Sequence, residues 1–287
     1  MSAGEISELA PAKVNLTLRV GRVRPDGYHP LDSFVVFADW GDEIRVKDSP
    51  AFLLSMSGEP SRRLAGGGDN NLVLRAAMAL QREAGVDRCA SIHLHKNIPV
   101  EAGLGGGSAD AAATLRALNR LWGLDWPPER LAQLGLGLGA DVPACVYSRP
   151  LRMRGIGEWI EMIDNVPALH AVIVNPGVAV PTGPVFRAFD EASPQPLAEG
   201  AWWQGDLVDW LAGESNDLEA PAIVREGAIG DTLDWLHAQP GVLLARMTGS
   251  GASCFAVCKR AADARAAADA YPQFGKAVTL GAPDMEA

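Results

Sequence analysis

A glycine-rich segment at residues 98–108 has the composition of a phosphate-binding loop. It reads Ile98-Pro-Val-Glu-Ala-Gly-Leu-Gly-Gly-Gly-Ser108 and lies between a predicted strand and a predicted helix. Glycines let backbone N–H groups approach an anion closely, and the N-terminus of the following helix supplies further free N–H groups. The segment has neither the Gly-Lys-Ser/Thr of a Walker loop nor the third glycine of G-x-G-x-x-G. We therefore predict a phosphate site of another type, with a flexible glycine turn as the alternative.

Two isolated charges have the chemistry that phosphoryl transfer needs. Asp141 is the only charged residue from Leu131 to Ser148, and Lys13 is the only one between Glu8 and Arg19. Beside a phosphate loop, the aspartate would accept a hydroxyl proton while the lysine keeps it ionised and offsets phosphoryl charge. The structural alternatives are a helix cap or turn for Asp141 and, for Lys13, an ammonium that reaches solvent.

Two further segments are open to more than one interpretation. Residues 13–29 carry four basic side chains against Asp26 and end in Asp26-Gly-Tyr-His29, which indicates either a solvated hairpin or a site for an anionic substrate. Thr248-Gly-Ser-Gly-Ala-Ser253 is either a second functional loop or a tight turn. A third glycine segment, residues 135–140, follows a predicted helix and is interpreted as that helix's C-terminus rather than a dinucleotide fingerprint.

Composition narrows the class of protein. The chain has 287 residues, 48% hydrophobic and 21% charged, which is typical of a globular protein. Its net charge of −10, without a dense basic stripe, argues against nucleic-acid binding. The four cysteines form no CxxC pair, so we expect free thiols and no zinc site.

The sequence also predicts neither a secretory signal peptide nor a membrane span. The first residues, MSAGEISELAPAK, lack the pattern of a signal peptide. The uncharged stretch 165–186 is broken by proline and glycine, and we interpret it as strand, turn and strand rather than a membrane span. We expect a cytoplasmic protein with a small-molecule substrate, no nucleic-acid or membrane partner, and an oligomeric state that the sequence leaves unknown.

Hydrophobic periodicity predicts strands and helices without a regular βαβ repeat, which favours an α+β fold. The strand predicted at residues 13–20 places Val14 and Leu16 on one face and Lys13 and Asn15 on the other. A turn is predicted at residues 39–42, and Asn70 or Asn71 is predicted to cap the helix at 72–84, which ends at Gly85. Further strands are predicted at 33–37, 43–47, 91–96, 171–175, 245–247, 254–258 and 277–280, and helices at 72–84, 108–122, 205–211, 218–222, 228–237 and 261–270.

Together these motifs resemble the GHMP kinase superfamily over nearly the whole chain, from about residue 10 to residue 280. The resemblance is carried by Ala10–Leu16, Asp26–His29, Gly103–Ala112, Gly139–Pro143, Asn175–Gly177, Pro181–Thr182 with Phe186, Ser215–Asp217 and Thr248–Ala252. The Gly-Tyr-His element is specific to members that act on a cytidine-diphosphate derivative of methylerythritol.

The resemblance implies a fold, a reaction and a set of site residues. It implies an N-terminal domain of the ribosomal protein S5 domain 2-like type over residues 1–164 and a ferredoxin-like domain over residues 165–287. It also implies phosphorylation, with ATP and Mg²⁺, of the 2-hydroxyl of the erythritol unit. The implied catalytic residues are Lys13 and Asp141. The implied ATP contacts are Asn71, Lys96, Pro99, Val100, Glu101, Ala102, Gly103, Leu104, Gly105, Gly106, Gly107, Ser108 and Ala109, and Ser108 is also the implied metal ligand. The implied substrate contacts are Asn15, Tyr28, His29, Thr182, Phe186, Gly249, Ser250 and Gly251.

Three finer expectations follow. Tyr28 and Phe186 would stack on the cytosine from either side, and His29 would hydrogen-bond its edge. Glu101 stands where the family loop usually has a small residue, so we expect its carboxylate to face solvent, away from the phosphates. Gly106 is expected to need a positive φ, which a β-branched residue would not adopt.

Overall fold

A computed structural model describes residues 4–64, 71–192, 194–197 and 202–283. The strands are β1 (Ile6–Asn15), β2 (Arg19–Val20), β3 (Leu31–Ser49), β4 (Leu53–Ser57), β5 (Cys89–His95), β6 (Leu151–Gly155), β7 (Trp159–Met162), β8 (Leu169–Asn175), β9 (Val242–Met247), β10 (Cys254–Cys258) and β11 (Phe274–Gly281). The helices are α1 (Leu72–Ala84), α2 (Gly106–Trp122), α3 (Pro128–Leu136), α4 (Val142–Tyr147), α5 (Thr182–Glu191), α6 (Leu207–Ala212), α7 (Glu219–Arg225), α8 (Ala228–His237) and α9 (Ala261–Ala270), with a 3₁₀ helix at Glu59–Leu64. The α+β prediction is confirmed.

One mixed sheet links the two halves of the described chain. Its central order is β4-β5-β3-β11-β8-β10-β9, and β1, β2 and β6 also pair with the long strand β3. The last strand, β11, pairs with β3 at Ala38 and with β8 along Leu169–Asn175. A shared apolar cluster joins Phe34 of β3 to Ile173 and Phe255 of the later strands. The earlier and later strands therefore hold each other in place.

Local capping signals set the first helices. Asn71, one of the two asparagines proposed as the cap of α1, accepts a hydrogen bond from the Val73 N–H, and Gly85 ends the helix in the left-handed conformation. Gly123 ends α2 in the same way. The glycine segment after residue 135 closes α3, as expected, with Gly137 at its C-cap.

The turn predicted at residues 39–42 is wrong, because β3 continues through it. Gly41 is paired with Pro11 of β1, and a Cβ at this glycine would lie 2.1 Å from the carbonyl oxygen of Ala10. The neighbouring Asp42 is fully buried and accepts hydrogen bonds from two backbone N–H groups, those of Asn97 and Ile98. Gly41 and Asp42 therefore do not form a turn. Gly41 allows β1 to approach closely, and Asp42 anchors the backbone at residues 97 and 98.

The strand predicted at residues 13–20 is only partly correct. Strand β1 ends at Asn15, and β2 is a separate two-residue strand. Val14 and Leu16 are buried as expected, but Lys13 and Asn15 on the opposite face are 3% and 1% exposed. That polar face is covered by the later part of the chain, which no local pattern indicates.

Other elements were also missed or misassigned. Residues 165–186 contain β8 and the start of α5 instead of strand, turn and strand. The β6–β7 hairpin, β4 and α4 have no counterpart in the prediction. The four cysteines are free thiols, as expected, although Cys89 is only partly buried. In the described residues, no helix combines the length and the apolar character that crossing a membrane requires.

Candidate active site

A cleft of about 1200 Å³ lies between the glycine loop and the later part of the chain. Every residue predicted for the site lines it except Leu104 and Ala109. Those two are 1% and 0% exposed, packed beneath the loop, so any contribution they make is through the shape of the loop. The tertiary structure thus brings together segments that are far apart in the sequence.

The two isolated charges form an ion pair at this cleft. Lys13 Nζ lies 2.9 Å from Asp141 Oδ1, with side-chain exposures of 4% and 36%. The Lys13 backbone N–H donates to the carbonyl of Leu104 at 2.9 Å, which ties β1 to the glycine loop. Asp141 stands at the N-cap of α4, but its side chain makes no capping hydrogen bond. The carboxylate is therefore directed to the lysine and the cleft instead of serving the helix.

Burial keeps a cysteine thiol near Asp141 in its protonated form. Cys145 lies one turn after Asp141 and is 0% exposed. Burial, reinforced by the Asp141 charge, raises the pKa of the Cys145 thiol to about 12. The thiol stays protonated and unreactive at neutral pH.

The glycine loop leads directly into α2. Gly105 is the N-cap of α2 with a φ of 64°, and Gly103 also has a positive φ of 71°. Gly106 is the first helical residue and its φ is not positive, so the expectation that it needs one is wrong. A Cβ on Gly105 would lie 3.2 Å from the Cβ of Lys13. The loop thus presents free helix N–H groups to the cleft next to the Lys13 side chain.

The second glycine loop packs on the first. A Cβ on Gly103 would lie 2.6 Å from the carbonyl oxygens of both Gly251 and Thr248. The Ser253 N–H also donates to the carbonyl of Ala102 at 3.1 Å. The loop at residues 248–253 is therefore more than an isolated turn, because it packs against the glycine loop and lines the same cleft.

Lys96, predicted to contact ATP, is held by two carboxylates that the sequence analysis did not identify. Its ammonium donates to Asp42 and, at 2.8 Å, to Asp110, and all three side chains are at most 4% exposed. Burial opposes the charged form of Lys96, but Asp110 and Asp42 together raise its pKa above the ordinary value. Burial raises the pKa of Asp110 to about 8. A Cβ on Gly106 would lie 3.4 Å from Lys96 Nζ, so this buried cluster supports the loop from below.

The predicted substrate residues meet at the other end of the cleft. The His29 ring packs 4.8 Å from that of Phe186, and His29 Nε2 lies 2.9 Å from Asp190 Oδ1. Tyr28 is 58% exposed beside them. The hydroxyls of Thr182 and Ser250 are 2.9 Å apart and tie α5 to the second glycine loop.

Asn15 adds a buried polar group to the same wall. Its Nδ2 donates to Ser33 Oγ at 2.7 Å, and its Oδ1 has no hydrogen-bond partner. A buried acceptor without a partner is costly unless a ligand satisfies it. Asn15 is thus suited to a hydroxyl donor.

The basic residues of the segment 13–29 do not form a free positive patch. Arg19 pairs with Glu214 at 2.7 Å, and Arg24 pairs with Asp26 at 2.5 Å. Neither arginine lines the cleft. The interpretation of this segment as a solvated hairpin with paired charges is therefore favoured for Arg19 and Arg24, whereas Lys13, Tyr28 and His29 line the cleft.

Glu101 and Ser108 occupy opposite ends of the glycine loop. Glu101 is exposed and also lines the cleft, and the expectation that its carboxylate points away from the phosphates stays a prediction. Ser108 lies in the first turn of α2 and lines the cleft. Within the described ranges, no cluster of three or more histidine, cysteine or acidic side chains has the arrangement of a metal site.

Comparison with known proteins identifies the family of the chain. The family models "GHMP kinases N terminal domain" and "GHMP kinases C terminal" match residues 71–149 and 204–277. The chain is 47% identical over 273 residues to a 4-diphosphocytidyl-2-C-methyl-D-erythritol kinase of Hyphomonas neptunium, covering 91% of this chain and 90% of that protein. It is 48% identical over 265 residues to the enzyme of the same name from Cereibacter sphaeroides, covering 91% and 92%.

Solved structures give the same result at the level of the fold. A crystal structure of 4-(cytidine 5'-diphospho)-2C-methyl-D-erythritol kinase matches with a TM-score of 0.79 and 33% identity, over 96% of this chain and 99% of that one. A mevalonate kinase from L. major matches with a TM-score of 0.70 at 16% identity, over 99% and 97%, which reflects the shared fold. From its motifs, its fold and these relatives, the chain belongs to the 4-diphosphocytidyl-2-C-methyl-D-erythritol kinases of the GHMP kinase family.

Proposed function

We propose that the protein transfers the γ-phosphoryl group of ATP to the 2-hydroxyl of 4-diphosphocytidyl-2-C-methyl-D-erythritol, a step of the non-mevalonate isoprenoid pathway. The observation that carries this proposal is the Lys13–Asp141 ion pair, which opens onto the same cleft as the glycine loop and the His29–Phe186 pair. GHMP kinases use ATP, and the relatives named above act on this cytidine compound.

Asp141 is the proposed general base. Its carboxylate accepts the proton of the 2-hydroxyl as that oxygen attacks the γ-phosphorus and ADP leaves. Lys13, 2.9 Å away, holds the Asp141 carboxylate in place and offsets the negative charge of the transferring phosphoryl group. Because Lys13 is only 4% exposed, solvent screens its charge weakly.

The glycine loop is the proposed phosphate cradle. Gly103 and Gly105 have the left-handed backbone that lets the chain turn, and the free N–H groups at the start of α2 face the cleft. Lys96 is better described as a support of this loop than as a direct nucleotide contact, because Asp42 and Asp110 bind its ammonium. Asn71, which caps α1, borders the cleft on the same side.

Mg²⁺ is proposed as the partner of ATP. Mg²⁺ in kinases is held by one or two protein oxygens together with phosphate oxygens and waters. The Ser108 hydroxyl and the half-buried Asp141 carboxylate are oxygen donors that line the cleft, so the donor set fits the ion. When bound, the ion would neutralise phosphate charge.

The division into residues 1–164 and 165–287 stays part of the proposal. The two family matches fall on either side of that boundary, at 71–149 and 204–277. The cleft takes residues from both sides of it, including Asp141 and Thr182. Closure of one part on the other would exclude water from the transferring phosphoryl group.

The experiment that tests the function measures ADP formation with purified protein, ATP and Mg²⁺. The acceptors are the cytidine compound, mevalonate and galactose, each assayed in parallel. The proposal expects turnover with the cytidine compound and product phosphorylated at the 2-hydroxyl, as read by ³¹P and ¹³C NMR. Turnover with mevalonate or galactose in its place would overturn it.

A further inference from the structure

The cleft has few cations, and most of them are already neutralised. Three basic side chains from the described residues line it: Lys13, Lys96 and Arg187. Lys13 is paired with Asp141, and Lys96 is paired with both Asp42 and Asp110. Arg187 makes no ion pair or side-chain hydrogen bond with any described residue.

Acidic side chains also line the cleft, but none of the described ones pairs with Arg187. Glu101, Asp141 and Asp190 line it, and the buried Asp110 faces Lys96. Asp190, three residues after Arg187 on α5, is the nearest acid in sequence, but its Oδ1 is bound to His29 Nε2 at 2.9 Å. Among the described residues, Arg187 is therefore the basic side chain of the cleft whose charge no acidic side chain already neutralises.

The position of Arg187 directs it to the substrate end of the cleft. It follows Phe186 on α5, and its Nη1 lies 3.6 Å from the place that a Cβ on Gly183 would occupy. The guanidinium thus lies against the first turn of α5, next to Thr182, whose hydroxyl is bound to Ser250. The glycine loop, with the start of α2, borders a different part of the cleft and needs no arginine to hold the phosphates of ATP.

We propose that Arg187 binds the diphosphate of the cytidine-diphosphate substrate and makes the protein select a nucleoside diphosphate over an uncharged nucleoside. This rests on the proposed function, since it concerns the substrate end of the same cleft. Guanidinium donors match phosphate oxygens in a bidentate manner, and the exposed side chain is free to turn toward them. Arg187 is a specificity-determining residue in this proposal and takes no part in proton transfer.

The test compares CDP with cytidine as ligands in calorimetric titrations. The variants are Arg187→Gln, Arg187→Lys and, as a matched control, Arg225→Gln, which changes an exposed arginine of α7 that does not line the cleft. Removing a charge-assisted contact should weaken CDP binding by about 10- to 100-fold in Arg187→Gln and change cytidine binding by less than about twofold. Arg187→Lys should lie between, and Arg225→Gln should match the wild type.

Equal losses for CDP and cytidine, or unchanged CDP affinity in Arg187→Gln, would overturn the proposal. Since Arg187 is exposed, thermal melting should show that the variant is folded. Kinetics separate this inference from the proposed function. If the wild type phosphorylates the cytidine compound but Arg187→Gln leaves the KM for that compound unchanged, only the role of Arg187 fails. If the wild type has no such activity, the function fails, and the CDP-to-cytidine comparison still decides the role of Arg187.

Discussion

Lys13 and Asp141 are separated by 128 positions in the sequence, yet their charged groups lie 2.9 Å apart, with the lysine almost completely buried and the aspartate partly open to the cleft. This asymmetry is suited to their proposed roles. The lysine is held in place to act as a fixed charge, while the carboxylate remains accessible to a hydroxyl group of a substrate.

Asp141→Asn should lower kcat by roughly 10²- to 10⁴-fold, because the amide does not accept the hydroxyl proton. The affinity for ATP should change little, since no glycine-loop contact is altered. Steady-state kinetics and calorimetric titration of ATP measure the two effects. Asp164→Asn is the control, because Asp164 is 74% exposed and pairs only with Arg149 at the surface. Turnover near that of the wild type in a folded Asp141→Asn protein would remove this residue from the mechanism.

Gly105→Ala should destabilise the protein, whereas Gly107→Ala should not. Gly105 has a φ of 64° and little space beside Lys13, while a Cβ on Gly107 would lie at an ordinary 3.5 Å from Leu72 Cδ1. The left-handed conformation costs a non-glycine residue about 1–2 kcal/mol, so Gly105→Ala should lower the free energy of unfolding by about that amount. Urea denaturation of both variants measures the difference. Equal stability of the two would show that the loop relaxes around the new side chain.

Phe186→Ala should reduce kcat/KM for the cytidine substrate at least about tenfold, because stacking on a base contributes about 1–3 kcal/mol. Its ring also supports His29 at 4.8 Å, so the variant should weaken cytidine binding more than Tyr28→Ala does. The KM for ATP should barely change in either variant. Trp159→Ala serves as the control, since Trp159 is 64% exposed and does not line the cleft. Parallel losses for ATP and the cytidine substrate would argue against a base-stacking site.

The contribution of Asp110 to the stability of the fold should fall as the pH rises from about 4 to about 8. Burial raises the pKa of Asp110 from 3.8 to about 8, so the folded state binds a proton in this range that the unfolded state has lost. The free energy of unfolding therefore decreases with pH in this window, by at most about 1.4 kcal/mol per pH unit from this one group.

Asp110→Asn, which resembles the protonated form, should make that slope shallower. Denaturant unfolding between pH 5 and pH 8 measures the slope, and Asp234→Asn, at an exposed position of α8, is the control. Identical slopes for the wild type and Asp110→Asn would contradict the prediction. The coupling to Lys96 and Asp42 makes the whole buried cluster, and not one residue, the unit that responds.

Several features of the protein follow from its sequence alone. The glycines at 103 and 105, the asparagine at 71 and the isolated charges at 13 and 141 indicated a phosphate loop, a helix start and a catalytic pair. These signals are readable because they depend on local chemistry: left-handed backbone favours glycine, and a helix N-terminus favours a side-chain acceptor. A charge in an apolar stretch also needs a partner or a function wherever the chain places it.

Tertiary structure decided what each charge and each turn residue does. Gly41 and Asp42 look like turn residues, but packing against β1 and the need to anchor Asn97 keep them within β3. Lys96 looks like a free cation, but folding places it between two buried carboxylates. The arginines at 19 and 24 are neutralised by acids, whereas Arg187, which no motif marked, has no acidic partner among the described residues. Whether a charge is available to a ligand depends on distances between distant segments, because an ion pair is a through-space relation that local sequence does not encode.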